Sequence, residues 1–325
     1  MSVKIEVLKA LEENRGTFFS GEALANKLNI SRAAVWKAIK QLKEEGYSIK
    51  AISNKGYSLS IETDVLSREG INIFLTEENK GLDIEVYKEL DSTNVYAKQL
   101  AVKGALHGTV VLAEEQTAGR GRRGRSFYSP GSTGIYMSII LRPNMEANEA
   151  ILITTATSVA VAKAIETVTR IKTGIKWVND IYIDEKKVAG ILTEAVTDFE
   201  SGKIECVIVG IGINFSTPKN SYPDEIKEIA TSLYENKPND ITRNQLVAEI
   251  INQVLASFKN LQSKEFIEDY KEKSIVIGRD IYILSNNSKT KAKAIDVDEQ
   301  GGLIVLTEDG VVKTLNSGEI SIRFN

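Results

Sequence analysis

Histidine and cysteine are nearly absent from this chain: His107 and Cys206 are the only ones among 325 residues. A single cysteine excludes an intrachain disulfide framework and any Cys-rich zinc module. A single histidine removes the usual His-based metal clusters and argues against a histidine-assisted catalytic triad. Long hydrophobic runs are missing too. No 18 consecutive residues are apolar, and charge interrupts the opening MSVKIEVLKALEENRG too early for a secretory signal. The expectation is a cytoplasmic protein with no membrane association.

What is present is ordinary in bulk and uneven in detail. Hydrophobic residues make up 42% and charged residues 26%, the balance of a folded globular chain rather than a disordered one. The length suggests two or three domains at about 100–200 residues each. The net charge of −3 argues against a protein that coats nucleic acid, but residues 1–60 hold ten Lys/Arg against six Asp/Glu, while the remainder holds 31 against 38. That places a small basic module on a larger acidic body.

The basic module reads as three short helices and a hairpin. Ile5, Leu8 and Leu11 form one apolar stripe, ended by Gly16; Ser20 caps a second helix carrying Leu24 and Leu28. Ser31 caps a third, in which Val35, Ile39 and Leu42 share a face and Arg32, Trp36, Lys37 and Lys40 lie opposite. Tyr47, Ile49 and Ala51, a turn at residues 53–56, then Tyr57, Leu59 and Ile61 give a hairpin by alternation. Three helices and a hairpin, with a basic third helix, form the pattern of a winged helix-turn-helix. Ser20, Ser31, Lys40 and the wing-tip Lys55 suit phosphate contacts, and Arg32, Ala33, Trp36 and Lys37 suit base or groove-edge contact. The competing reading is a helical packing module with solvated lysines. Affinity from two half-sites implies a homodimer.

Residues 63–270 mix strand and helix patterns: strands at 84–90, 109–115, 135–141, 181–183, 188–193 and 204–213, and helices at 147–169 and 242–261. Four stretches break the packing logic. Gly119-Arg120-Gly121-Arg122-Arg123-Gly124-Arg125 follows an apolar strand, and four arginines with three glycines cannot be core. Glycines let backbone N–H groups approach an anion, and guanidiniums supply forked donors for phosphate or carboxylate. Apolar strands on both sides favour a loop over an anionic ligand rather than a disordered RNA-binding tract, and no G-K-[ST] follows to make a Walker A loop. Lys176-Trp177-Val178-Asn179-Asp180 sets an aromatic among a cation, an amide and a carboxylate; a strand end with a polar turn reads equally well. Lys187 opens an apolar strand. Gly210 and Gly212 thin a β-branched run, admitting a flat ligand or marking a bulge. The four together point to a site for phosphates and a small carboxylate, with no nucleophilic triad to support covalent catalysis by the protein.

These stretches resemble the biotin protein ligases, and with the N-terminal module they resemble the bifunctional ligase–repressors of that family. The resemblance runs along the whole chain and rests on Ser20-Gly21-Glu22, residues 31–37, Asp91-Ser92-Thr93-Asn94, Gln116 with residues 119–125, residues 176–180, Lys187 with Gly190-Ile191-Leu192, and residues 210–214. Two departures stand out: Val178 where family members often carry proline, and Phe127 where an aromatic, often Trp, packs on the adenine. The resemblance implies an α+β multidomain fold. Its parts are a winged helix-turn-helix over 1–62, a mixed α/β catalytic domain of the class II synthetase-like biotin/lipoate ligase type over 63–270, and a small SH3-like β-barrel over 271–325. For the last, the sequence shows five short strands with turns at 286–287, 301–302 and 309–310, and no chemistry of its own.

The resemblance also implies the reaction: biotin and ATP give biotinyl-5′-AMP and pyrophosphate, and biotin then passes to a lysine of a biotin carboxyl-carrier protein. It implies Arg120, Arg122, Lys187 and Asp180 as catalytic residues. It implies Ser92, Thr93, Asn94, Gln116, Gly119, Gly121, Gly190, Leu192 and Gly210 about the biotin, together with Arg120, Arg122 and Lys187. Arg125, Phe127, Lys176, Asn179 and Asn214 join Arg122 at the nucleotide. Mg²⁺ would arrive with ATP, no protein side chain being expected to hold a metal. Operator DNA, and a homodimer promoted by the adenylate, complete the implied partners. Two rivals are a non-catalytic ligand-sensing regulator, which the arginines and Lys187 disfavour, and a lipoate-type ligase.

Overall fold

The computed structural model describes residues 2–143, 145, 150–197, 204–238, 240–285 and 288–322. The 286–287 turn and the first residues of the 147–169 helix pattern lie outside these. The chain divides into two compact units. One runs up to Lys80 and includes the later segment Lys237–Glu249; the other comprises Gly81–Asn236 and Ile250–Asn325.

The first unit contains helices α1 (Val3–Glu12), α2 (Gly21–Leu28) and α3 (Arg32–Glu44), the hairpin strands β1 (Ile49–Ile52) and β2 (Gly56–Leu59), and the short helix α4 (Arg68–Asn72). Ser20 Oγ accepts from the Ala23 N–H at 3.0 Å and Ser31 Oγ from the Ala34 N–H at 3.1 Å, so both serines satisfy donors that a helix start leaves unpaired. Asn29, left-handed at φ 52°, ends α2 and turns the chain toward α3. Leu8, Leu11, Leu24, Val35, Ile39, Leu42, Ile49 and Leu59 bury together, each worth roughly 1.5–3 kcal/mol of transfer free energy. The alternation read across the hairpin holds only in part: after Ile49, Ala51 is exposed, and Ile61 lies beyond β2 and is 57% exposed. The wing gains instead a third partner, Phe19, which exchanges two backbone hydrogen bonds with Tyr57 at 2.9 and 2.8 Å.

Asp64 and Arg243 form the most deeply buried ion pair of this unit, 3% and 2% exposed at the side chain. Arg243 Nε donates to Asp64 Oδ2 at 2.9 Å, its backbone N–H to Oδ1 at 2.7 Å and Nη2 to the Asp64 carbonyl at 2.6 Å. Asn244 adds a bond from its Nδ2 to the Val65 carbonyl and accepts from the Ser67 N–H. The segment after the wing is therefore fixed to the start of α7 (Arg243–Lys259) by charge and backbone bonds.

The second unit is built on a seven-stranded sheet. Its strands are β3 (Ile84–Leu90), β4 (Val110–Gln116), β5 (Gly134–Leu141), β6 (Gly174–Lys176), β7 (Asp180–Ile183), β8 (Lys186–Thr197) and β9 (Ile204–Asn214), in the order β3-β4-β5-β9-β8-β7-β6. Only β3 and β4 run parallel, joined through α5 (Thr93–Val102). Helix α6 (Ala150–Thr169) is long and apolar enough by composition to cross a membrane, yet most of it is buried inside the protein. It packs on β8 and on α8 (Phe266–Lys273). The sequence patterns missed α5, α8 and β6. Strands β10 (Asp280–Ser285), β11 (Ser288–Val297), β12 (Leu303–Thr307), β13 (Val312–Leu315) and β14 (Glu319–Ile322) make an antiparallel sheet ordered β13-β12-β11-β10-β14, the small SH3-like domain.

Removing one partner of a buried pair strands the other charge, at about 3–5 kcal/mol. Arg243→Leu should therefore lower the urea-unfolding free energy by about that amount. A loss below about 1 kcal/mol would show that Asp64 is not held as an ion in the interior.

Candidate active site

One face of the large sheet carries nearly all the chemistry, and cross-strand register explains why. Side chains two apart share a face. Ser138 pairs with Gly210 and Tyr136 with Gly212; Gly210 and Gly212 in turn pair with Leu192 and Gly190; Gly190 pairs with Asp180, and Asp180 with Lys176. Lys187 is an odd-numbered residue on a strand whose site residues are even. A bulge between β7 and β8, where Ile181 opposes Ala189 but Tyr182 opposes Lys187, shifts the parity and brings Lys187 onto the same face. The bulge thus falls beside the lysine, while the register runs unbroken through Gly210 and Gly212.

The missing side chains at those glycines make room for protein groups. A Cβ at Gly210 would lie 2.1 Å from Asn94 Oδ1, and one at Gly212 would lie 2.6 Å from the Phe127 ring. Above them lies a cavity of about 280 Å³. Every residue assigned from the sequence to the biotin and nucleotide site lines it except Gly119. Gly119 supports the loop from beneath: its carbonyl accepts from the Phe127 N–H at 2.9 Å, and a Cβ there would meet the Phe127 carbonyl at 2.5 Å.

The cavity has a cationic end. Lys187 Nζ lies 2.7 Å from Asp180 Oδ1. Arg122 Nη1 donates to Asn179 Oδ1 at 3.1 Å, and Asn179 Nδ2 donates to the Ile191 carbonyl at 2.7 Å, so the amide is held from both sides. Burial pulls the Arg122 guanidinium below its usual pKa, against the opposing pull of Asp180. Burial does the same to Lys176, again with Asp180 opposing. The Lys176 ammonium sits 5.8 Å from the Tyr182 ring centre. Asn214 Nδ2 donates to the Thr231 carbonyl at 3.0 Å. Arg125 makes a forked pair with Glu319, at 2.7 and 2.9 Å, and Arg123 lies 4.0 Å from the same carboxylate. Glu319 belongs to the SH3-like domain, so a segment with no chemistry legible in its own sequence contributes a charge to the site. Trp177 ties the same domain in, donating from Nε1 to the Gly301 carbonyl at 3.0 Å. Residues 176–180 are a strand, a turn and a second strand, as the plainer sequence reading had it.

The other end is a web of hydrogen bonds. Gln116 Oε1 accepts from the Thr93 N–H at 2.9 Å, and Gln116 Nε2 donates to Ser129 Oγ, which donates to the Phe127 carbonyl. Asn94 Nδ2 donates to Glu194 Oε2 at 2.6 Å and to the Leu192 carbonyl at 3.3 Å. Ser92 lies buried, its N–H donated to Asp91 Oδ1. Glu194, Ser129, Tyr182 and Glu319 were not singled out from the sequence; a glutamate closing the apolar run Val188–Thr193 was the one available signal. On the first unit, Arg32, Ala33, Trp36, Lys37, Lys40 and Lys55 are all exposed, Trp36 at 59%, with Lys40 Nζ 5.9 Å from its ring centre. The hydroxyls of Ser20 and Ser31 are engaged in capping.

A slot with hydrogen-bonding groups at one end and clustered cations at the other defines a site for a small neutral-headed acid beside an anionic phosphate compound. Residues 86–214 match the biotin/lipoate A/B protein ligase family, residues 4–58 an HTH domain, and residues 276–323 the biotin protein ligase C-terminal domain. The chain is 34% identical over 99% of its length, and 99% of the relative's, to the bifunctional ligase/repressor BirA of Bacillus subtilis. It is 28% identical, over 73% of the chain and 88% of the relative, to a biotin–[acetyl-CoA-carboxylase] ligase of Mycobacterium tuberculosis. The solved biotin protein ligase of Aquifex aeolicus in complex with biotin and ATP superposes with a TM-score of 0.62 at 33% identity, covering 75% of this chain and 99% of that one. The chain belongs to the biotin protein ligases, within the biotin/lipoate ligase family, and to their bifunctional ligase/repressor group.

Overpacking a built interior costs about 1–3 kcal/mol. Gly210→Ala should lose about that much in thermal unfolding, because the Asn94 amide it displaces is pinned. Gly190→Ala meets only the tip of Lys187, at 3.0 Å, and should cost under about 1 kcal/mol. Equal losses at the two positions would contradict this packing.

Proposed function

We propose that this chain is an ATP-dependent biotin protein ligase that also represses transcription in response to its own adenylate. The observation that carries this reading is the two-ended cavity: a donor-and-acceptor floor at Asn94, Thr93 and Gln116, and a cationic end at Arg120, Arg122, Lys176 and Lys187, on one sheet face. The biotin carboxylate attacks the α-phosphorus of ATP, the bond to the β-phosphate oxygen breaks, and pyrophosphate leaves. Negative charge gathers around phosphorus in this step, so positioned cations serve better than a nucleophile. Arg120, whose guanidinium has no hydrogen-bond or ion-pair partner among the described residues, is free to take carboxylate or phosphate oxygens. Lys187 exchanges Asp180 for the same anion. Arg125 exchanges Glu319 for the departing pyrophosphate, which gives the SH3-like domain its part. Phe127 and Asn214 serve the adenosine end. Mg²⁺ enters with the ATP phosphates; among the described residues no group of three His, Cys, Asp or Glu side chains is placed to hold a metal.

In the second step an acceptor lysine amine attacks the anhydride carbonyl and AMP leaves, with Asp180 positioned to accept the amine proton. The acceptor is a carrier-domain lysine of a biotin-dependent carboxylase. The exposed face of α3 reads operator DNA as a homodimer favoured by the bound adenylate, in a cytoplasmic protein whose working divisions fall at residues 62 and 270.

One charge-assisted contact contributes about 1.5–3 kcal/mol, or roughly 10- to 150-fold. Lys187→Met should reduce biotin-dependent ATP–pyrophosphate exchange by at least roughly tenfold. Unchanged exchange would remove Lys187 from the reaction, and exchange driven by lipoate in place of biotin would reassign the substrate. For the DNA function, Arg32→Ala and Lys37→Ala should each weaken the adenylate-dependent mobility shift. Where the lost contact is to phosphate, the slope of log affinity against log salt should fall by about one. Operator binding indifferent to both substitutions would exclude α3 as the reading helix.

A further inference from the structure

The turn that carries Asn179 is held by two hydroxyls that lie outside the cavity and that the mechanism above leaves unused. Tyr270 Oη, on α8, donates to the Val178 carbonyl at 3.2 Å, and Ser158 Oγ, on α6, lies 3.1 Å from the same oxygen. All three residues are buried, and a buried carbonyl needs a donor. Ser158 Oγ carries one proton and has a second acceptor, the Thr154 carbonyl of its own helix, at 2.8 Å. It can serve Val178 only by leaving Thr154. Tyr270 has no other hydrogen-bond partner among the described residues, so it is the standing donor and Ser158 the reserve. Helix α8 is seated firmly at this point: Asp269 and Lys273, on either side of Tyr270, pair with Lys163 and Glu166 of α6, each at 2.6 Å.

A peptide group is planar, so fixing the Val178 carbonyl fixes the whole plane that joins Val178 to Asn179. The next plane is fixed from the other side, by the Ile191 N–H, which donates to the Asn179 carbonyl at 2.9 Å. Both backbone torsions of Asn179 are thereby set, and its amide oxygen meets Arg122 Nη1 at 3.1 Å. We infer that Tyr270 is a positioning residue for the ligase reaction, with Ser158 as its reserve: the two hydroxyls hold the Val178–Asn179 peptide so that Asn179 presents Arg122 to the anion. The inference rests on the reading of the cavity as a ligase site, and neither residue lines that cavity or touches substrate. Either hydroxyl alone keeps the carbonyl paired. Without both, the buried oxygen is unpaired, the peptide turns to find a donor, and Asn179 turns with it. The loss then falls on Arg122, as one charge-assisted contact, roughly 10- to 150-fold.

The test is biotin-dependent ATP–pyrophosphate exchange with the full-length protein, read as kcat/KM for ATP. Tyr270→Phe combined with Ser158→Ala should fall at least roughly tenfold below either single variant, because each hydroxyl covers for the other. In an Asn179→Ala background, where no amide remains to be aimed, the same two substitutions should cost less than about threefold. A merely structural weakening would lower exchange equally in both backgrounds. Ser158→Cys in place of Ser158→Ala fills nearly the same space with only a weak donor, and it carries the test should the alanine double variant fold poorly. A double variant less than tenfold below either single one, or a loss of threefold or more persisting in the Asn179→Ala background, would overturn the proposal. Absence of biotin-dependent exchange in the native protein would overturn the ligase reading instead.

Discussion

The Lys187–Asp180 pair, on which the charge balance of the cavity turns, depends on one irregularity in strand pairing. In an unbroken β8, Lys187 would point away from Gly190, Leu192 and Glu194, because side chains alternate across a sheet. The bulge opposite Ile181 and Tyr182 inserts one residue and turns Lys187 to face Asp180 across the slot, at 2.7 Å. The same face then holds Lys176 on β6, Asp180 and Tyr182 on β7, the glycines of β9, and Ser138 on β5. A sheet that is otherwise a scaffold becomes chemical on one side only. The other side is left to α6, where Thr154 bonds Thr193, a residue of the opposite parity, at 2.9 Å.

Gathering so many cations in one cavity carries an electrostatic cost, and the structure meets it locally. Asp180 faces Lys187, Glu319 holds Arg125 and approaches Arg123, the Asn179 amide oxygen takes Arg122, and the Tyr182 ring lies near Lys176. Most of these partners are replaceable by a phosphate or carboxylate oxygen of similar geometry. Burial already weakens the hold of Arg122 and Lys176 on their protons, which raises the value to each of an incoming anion. The cationic end is thus preorganised yet not saturated. Charged donors already in place need little rearrangement when an anion arrives.

Much of this was legible in the sequence, for a physical reason. Arg120, Arg122, Lys187 and the glycines of β9 break the apolar logic of their own segments, so each announces itself locally, and their convergence follows once the strands are paired. The three-helix module was equally plain, because caps at Ser20 and Ser31 and the Val35, Ile39, Leu42 stripe are local signals. What stayed hidden depends on distance along the chain. Glu319 meets Arg125 from 194 residues away, Glu194 meets Asn94 from 100, and Arg243 meets Asp64 from 179. No local pattern marks such a glutamate as different from a solvated one. The bulge was hidden for the opposite reason: it moves parity by one residue, and parity is visible only against a partner strand. Ile61 shows the converse error, an alternation continued past the end of the strand that produced it.

The two ends of the cavity are not independent, because one hydrogen-bond chain supports both. Gln116 binds Thr93 with its oxygen and Ser129 with its nitrogen; Ser129 binds the Phe127 carbonyl, and the Phe127 N–H binds Gly119 at the root of the Gly/Arg loop. The donors of this chain all point one way, from Thr93 toward Gly119, and aligned donors strengthen one another. The floor is therefore tied to the backbone from which Arg120 and Arg122 project, and neither end of the slot is placed independently of the other.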